Sequence, residues 1–134
     1  MATVRVLLAD DHAKVRADIR ARLGRVFEII GAVSDGKQAV DVTLQFDPDV
    51  VVLDISMPVV NGFQAAVYLR GIKCRAKIIF LTTYEDPEYV DAAFASGASG
   101  YVTKQRLATD LVAAIREVVR GNQFISPSLR EIEI

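Results

Sequence analysis

The sequence predicts an α/β protein built on a doubly wound, five-stranded parallel sheet in the order 2-1-3-4-5, with helices on both faces. Three observations point there. Five short apolar runs alternate with segments whose apolar residues recur at helical spacing. The runs Val50-Val51-Val52-Leu53 and Ile78 to Leu81 lack polar alternation, as strands buried on both faces do. Finally, acidic residues follow the first and third runs, at the strand ends where open α/β sheets bind ligands.

Val4 to Ala9 reads as the first strand, and the helix after it carries Val15, Ile19 and Leu23 at i, i+4 and i+8 before Gly24. Arg16, Arg20 and Arg22 fall off that stripe, as a solvated face or a partner-facing one would. Phe27 to Val33 is the second strand. Ser34-Asp35-Gly36 supplies turn and cap chemistry, and Ala39, Val40, Thr43 and Leu44 form the next stripe, ending before Asp47-Pro48. The strand Val50 to Leu53 delivers Asp54 to its C-terminal end. Ser56-Met57-Pro58 and Asn61-Gly62 are turn signals that open a helix with Phe63, Ala66, Val67 and Leu69, ending near Gly71.

Ile78 to Leu81 is the fourth strand and runs into Thr82-Thr83-Tyr84. Asp86-Pro87-Glu88 is a helix start, with Asp at the N-cap, Pro at the first helical position and an acid in the first turn. Tyr89, Val90, Ala93 and Phe94 form its stripe, and Gly97 ends it. Ser99 to Thr103 is a shorter fifth strand that contains Tyr101 and delivers Lys104 to the edge of Asp54. The last helix carries Leu107, Leu111, Ile115 and Val118 and closes at Arg120-Gly121. Right-handed crossovers then place helices on both faces of one parallel sheet.

With 134 residues, half of them hydrophobic, the chain is long enough for one domain with a substantial core. A net charge of -1 gives no general attraction to phosphate backbones, so no direct nucleic-acid binding by this segment is expected. The single cysteine, Cys74, excludes an intrachain disulfide and suits packing in a reducing compartment. No secretory signal pattern and no run of ~20 apolar residues is present, which predicts a cytoplasmic chain without membrane contact.

Collecting the ends of strands one, three, four and five gives Asp10-Asp11, Asp54, Thr82 and Lys104. Three converging carboxylates repel unless they share a cation, and magnesium suits them because it takes hard oxygen ligands and keeps waters that a phosphoryl oxygen can replace. An ionised Asp attacks phosphorus directly, giving an aspartyl phosphate, with Lys104 and the Thr82 hydroxyl placed to meet its other oxygens. Each residue alone has a plainer reading. Asp10-Asp11 suits a helix cap, Asp54 a loop acid, Lys104 a surface lysine, Thr82 a strand-end hydroxyl and Tyr101 packing. His12, beside the acids, is expected to face solvent in the first helical turn, and Tyr84 and Phe94 to pack.

From LLADDH through VVLDISMPVVNG and IIFLTTY to GASGYVTK, nearly the whole chain closely resembles the receiver domain of bacterial two-component response regulators. The resemblance implies that Asp54 is the phospho-acceptor and that Asp10, Asp11, Asp54 and the Ser56 backbone carbonyl bind magnesium, with manganese able to substitute. It makes Thr82 and Tyr101 the switch pair and Lys104 the phosphate clamp. A sensor histidine kinase or a small phosphodonor would supply the phosphoryl group, and only self-phosphorylation and self-dephosphorylation would be catalysed.

GASGYVTK and GNQFISPSL resemble the NarL/LuxR-type subfamily, whose output is a helix-turn-helix domain. Residues 1–121 would then be the receiver domain, and 122–134 a tail that starts the linker to an output domain not present here. Homodimerisation on phosphorylation is implied, through either the fourth helix, fifth strand and fifth helix or the first and fifth helices. Two positions depart from the pattern. Gln105 stands where many receivers have Pro in a cis bond and others Asp, and Thr83 adds bulk where many have Ala.

Three other functions share parts of this pattern. A haloacid dehalogenase-type phosphohydrolase usually has a second acid two residues after its nucleophile, where this chain has Ser56. A flavodoxin-like flavin binder needs a phosphate loop after strand one, where this chain has two acids. A degenerate receiver acting only as an interaction module would not need the full set of site residues.

Overall fold

The computed structural model describes residues 3–130. Strands β1 (Arg5–Ala9), β2 (Glu28–Val33), β3 (Val50–Leu53), β4 (Lys77–Thr82) and β5 (Gly100–Thr103) alternate with helices α1 (Ala13–Leu23), α2 (Gly36–Phe46), α3 (Gly62–Gly71), α4 (Pro87–Ala95) and α5 (Leu107–Val119). They form a parallel sheet in the expected order, extended by one further strand, β6 (Phe124–Ile125), to 2-1-3-4-5-6. A short helix, α6 (Pro127–Arg130), follows.

Burial explains why the apolar runs became strands. All four residues of β3 are buried, and β1 and β4 become buried after their first residue, because helices cover both faces. One core lies between the sheet and the α2–α3–α4 side, built on Leu7, Val51, Phe80, Leu69 and Tyr101. The other lies under α1 and α5, with Val6, Leu8, Ile19, Val52, Leu111 and Ile115. Register then sets the site: Ala9 pairs with Leu53 and Thr82 with Thr103, so the residues after β1 and β3 emerge side by side.

The helix boundaries follow local chemistry. Asp35 caps α2 by accepting the Gln38 N–H, and Asn61 and Gln64 form a reciprocal capping box at α3. Asp86 takes the N-cap position of α4, but its carboxylate makes no capping bond. Gly24 ends α1 in a right-handed conformation, so the turn there does not use glycine's freedom at positive φ. Two stripe residues face outward, Leu44 and Val67, while Ala65 is buried on α3 in addition to Ala66 and Leu69. Phe27 packs in the core one residue before β2 begins, and Ser99 precedes β5.

The segment after residue 121 departs most from expectation. Phe124 and Ile125 pair in parallel with Gly100 and Tyr101, and Leu129 is buried in the same core as Tyr101. Phe124, Ile125 and Leu129 therefore pack with β5 and the core beneath it. The end of the expected tail, residues 131–134, lies outside the described residues.

Candidate functional site

Asp10 follows β1 and Asp54 follows β3, and both are almost fully buried. Asp54 is held from behind by its neighbours. Its N–H donates to the Ala9 carbonyl (2.9 Å), and the Gly62 N–H at the start of α3 donates to the Ile55 carbonyl (2.8 Å). A Cβ at Gly62 would overlap the Asp54 carbonyl, so only glycine lets α3 approach the acceptor loop this closely.

Lys104, at the end of β5, reaches across to both acids: its Nζ lies 2.9 Å from Asp10 Oδ2 and 3.1 Å from Asp54 Oδ2. Asp10 divides its two oxygens between two tasks. Oδ1 accepts the His12 N–H (2.8 Å) in the turn before α1; His12 itself is the N-cap and no side chain caps the helix, so the expected capping role of the acid pair is not what the structure has. Oδ2 is buried and faces the ammonium without hydrogen-bond alignment, an ion pair with spare acceptor capacity. Asp11 is more open. His12 is exposed, as expected, yet its Nδ1 lies 3.1 Å from Asp11 and 3.4 Å from Asp10, a contact that sequence reading did not anticipate.

Ligand atoms of Asp10, Asp11, His12 and Asp54 lie within 4.8 Å of one another. Three carboxylates, one with a buried oxygen lacking a hydrogen bond, are a hard-oxygen donor set of the kind magnesium takes. The residues present therefore fit that ion.

Burial pushes the Asp54 carboxyl above its ordinary range; Lys104 opposes the rise and Asp10 adds to it. Burial likewise opposes charge on Lys104, but Asp10 and Asp54 together outweigh it and raise that pKa. A group whose folded pKa is raised adds stability below its unfolded pKa and loses it as pH rises through the folded value. Asp54 therefore costs stability above the ordinary carboxylate range. In chelator at neutral pH, Asp54→Asn should be more stable than the parent, and the two should converge as pH falls below the ordinary carboxylate range. Urea unfolding across a pH series measures this, and a constant gap would contradict it.

The two expected switch residues both meet Tyr84. Thr82 Oγ1 accepts the Tyr84 N–H at 3.3 Å, and the Tyr101 hydroxyl donates to the Tyr84 carbonyl at 2.7 Å. Tyr101 is fully buried, and burial raises its phenol so far that it remains a donor at any physiological pH. Tyr84 also bonds Ser56 hydroxyl to hydroxyl (2.9 Å) and stacks on Tyr89 of α4, with centroids 4.3 Å apart. Sequence reading treated Tyr84 as packing; its place two residues beyond Thr82 was the available signal. Arg16, read as surface, donates to the Asp10 carbonyl at 2.7 Å. Gln105 lies in a 3₁₀ turn, Lys104–Arg106, with a trans bond to Lys104, and Thr83 is exposed.

Among the described residues, no helix is long and apolar enough to cross a membrane.

Comparison with known proteins agrees with this geometry. The response regulator receiver domain family matches residues 6–116. The chain is 32% identical over 128 residues to the transcriptional regulatory protein DegU of Brevibacillus brevis, covering 94% of this chain and 54% of that protein. It is 33% identical over 129 residues to the oxygen regulatory protein NreC of Staphylococcus carnosus, covering 94% and 59%. The chain thus spans little more than half the length of these relatives. Among solved structures, a LuxR-family two-component response regulator from Aurantimonas superposes with a TM-score of 0.92 at 31% identity, covering 97% of this chain and 94% of that one. The isolated receiver domain of RcsB from Salmonella enterica, with a beryllofluoride phosphomimetic, gives 0.88 at 27% identity, covering 97% and 98%. With the sheet order, the acidic pocket and these matches in agreement, the chain belongs to the response regulator receiver domain family of two-component signalling, among relatives of the NarL/LuxR type.

Proposed function

We propose that this receiver accepts a phosphoryl group on Asp54 from a sensor histidine kinase or a small phosphodonor, in the cytoplasm, and changes conformation to control an output. The observation that carries the reading is the pairing of Lys104 with both Asp10 and Asp54, which gathers one ammonium and two buried carboxylates at a single sheet edge. An Asp54 oxygen attacks phosphorus. The new P–O bond forms as the bond to the donor's oxygen or nitrogen breaks, and its electron pair leaves with the donor. Lys104 turns from the carboxylates to a phosphoryl oxygen, and the Thr82 hydroxyl donates to another.

Asp10, Asp11, Asp54 and the Ser56 carbonyl would hold magnesium, or manganese in its place. When bound, the ion neutralises charge on the carboxylates and the phosphoryl oxygens. Labelling should stop in chelator. Asp11→Ala should need about tenfold more magnesium for half-maximal labelling, since an open acid is lost from a small ligand set. An unchanged magnesium titration would remove Asp11 from the site.

The output we propose is transcriptional, through a helix-turn-helix domain joined by a linker that starts in the 122–134 segment. DegU is named a transcriptional regulatory protein, and one solved RcsB structure holds two dimers on two parallel DNAs. Homodimerisation on phosphorylation is the corresponding proposal here. A groove of about 480 Å³ between α1 and α5, lined by Leu107 and Val112 together with the charged Asp18, Arg22 and Arg25, offers a mixed apolar and charged surface that supports the α1–α5 face. On the alternative face, β6 already covers the edge of β5.

A further inference from the structure

β6 lies against the strand that contains Tyr101 and ends next to Lys104. One residue grips that strand twice: the Ser126 N–H donates to the Tyr101 carbonyl (2.9 Å), and Ser126 Oγ accepts the Thr103 N–H (3.2 Å). Ser126 is fully buried. It is anchored on both sides, by the Phe124 N–H bonded to the Ser99 carbonyl (3.0 Å) and by Leu129 in the core. Pro127 biases Ser126 toward the extended backbone that this pairing needs.

On its other side β5 pairs with β4, so Thr103 is held between Thr82 and Ser126. The Thr103 hydroxyl is buried without a hydrogen-bond partner among the described residues, so the hydrogen bonds that hold this residue are those of its backbone. Lys104 is the next residue, and its mostly buried ammonium must meet two carboxylates at 2.9 and 3.1 Å.

We propose that Ser126 is a positioning residue for the phosphoryl chemistry: the Phe124–Leu129 strap holds Thr103, and through it sets where the Lys104 ammonium sits. The assignment rests on the reading of Asp54 as acceptor. It makes the C-terminal segment part of the site's scaffold. By linkage, a phosphoryl group that fixes Lys104 also fixes the strap, so site and strap report on each other.

The test uses the full chain in saturating magnesium with a small acyl phosphate, and a double-mutant cycle of Ser126→Ala with Lys104→Ala. Ser126→Ala should slow phosphorylation by about tenfold, since small misplacements of a charged group are costly to reaction rate. Its magnesium affinity should stay within about twofold of the parent. In the Lys104→Ala background the same change should have almost no further effect. Equal slowing in both backgrounds would mean a purely structural role and overturn the proposal, as would a Ser126→Ala rate equal to the parent's.

A second measurement needs no variant. Magnesium with beryllofluoride should slow hydrogen exchange at the Thr103 and Ser126 amides of the unmodified chain, and unchanged exchange there overturns the proposal. Labelling of Asp54→Asn at the parent rate would instead overturn the acceptor reading, and this proposal with it.

Discussion

Asp54→Asn should reduce phosphoryl incorporation from an acyl or amido phosphodonor below detection, while the parent gains one phosphoryl group in magnesium. The amide is neutral and nearly the same size, so the change removes the nucleophile and keeps the shape of the pocket. Because the buried Asp54 carboxylate costs stability, the variant in chelator should be at least as stable as the parent, so it does not need magnesium to fold and loss of labelling cannot be assigned to unfolding. Intact-mass measurement separates the two chains. The same variant tests the dimer proposal: beryllofluoride should shift the parent toward dimer in sedimentation velocity and leave Asp54→Asn unmoved. Equal labelling of both chains would transfer the acceptor role to Asp10 or Asp11. Identical monomer–dimer distributions for the parent with and without the mimic would mean that this domain signals through another contact.

Lys104→Ala is expected to separate metal binding from phosphoryl chemistry. The ammonium pairs with Asp10 and Asp54, and its removal leaves two buried carboxylates with less compensation. Without divalent metal the variant should lose about 3 kcal/mol of stability, the usual scale when one partner of a buried pair is deleted. Magnesium should restore much of that, because it supplies the missing positive charge to the same oxygens. Phosphorylation should remain slow even in saturating magnesium, by about 100-fold, since one preorganised cation facing the transferred group is gone. Urea unfolding with and without magnesium, alongside the labelling rate, measures both effects. A variant labelled at the parent rate would remove Lys104 from the phosphoryl site. One whose stability ignores magnesium would contradict the shared-charge account.

The gathering of side chains at the sheet edge was legible wherever a residue lies at the end of a strand. Asp10, Asp54, Thr82 and Lys104 follow or close apolar runs, and a parallel sheet brings such ends together once its order is known. Contacts made by backbone groups or through turns were not legible. Nothing in the residue types shows that Tyr84 would offer its N–H to Thr82 and its carbonyl to Tyr101, because a tyrosine's main chain looks like any other. His12 was read correctly as exposed, but its contact with both acids depends on the angle at which α1 leaves β1.

Periodicity and strand-end chemistry by themselves determined the fold class and the residues that stand at strand ends, while the order 2-1-3-4-5 followed from the doubly wound architecture that five βα units favour. These are consequences of burial: a run apolar on both faces has to be a central strand, and five βα units have few ways to pack. Tertiary structure alone decided the rest. The two-residue strand Phe124–Ile125 is too short to carry a period of its own, and it exists because the open edge of β5 supplies its hydrogen-bond partners. Ser126 takes its place against Tyr101 and Thr103 for the same reason, as a polar residue whose burial is tolerable only where another strand's backbone satisfies it.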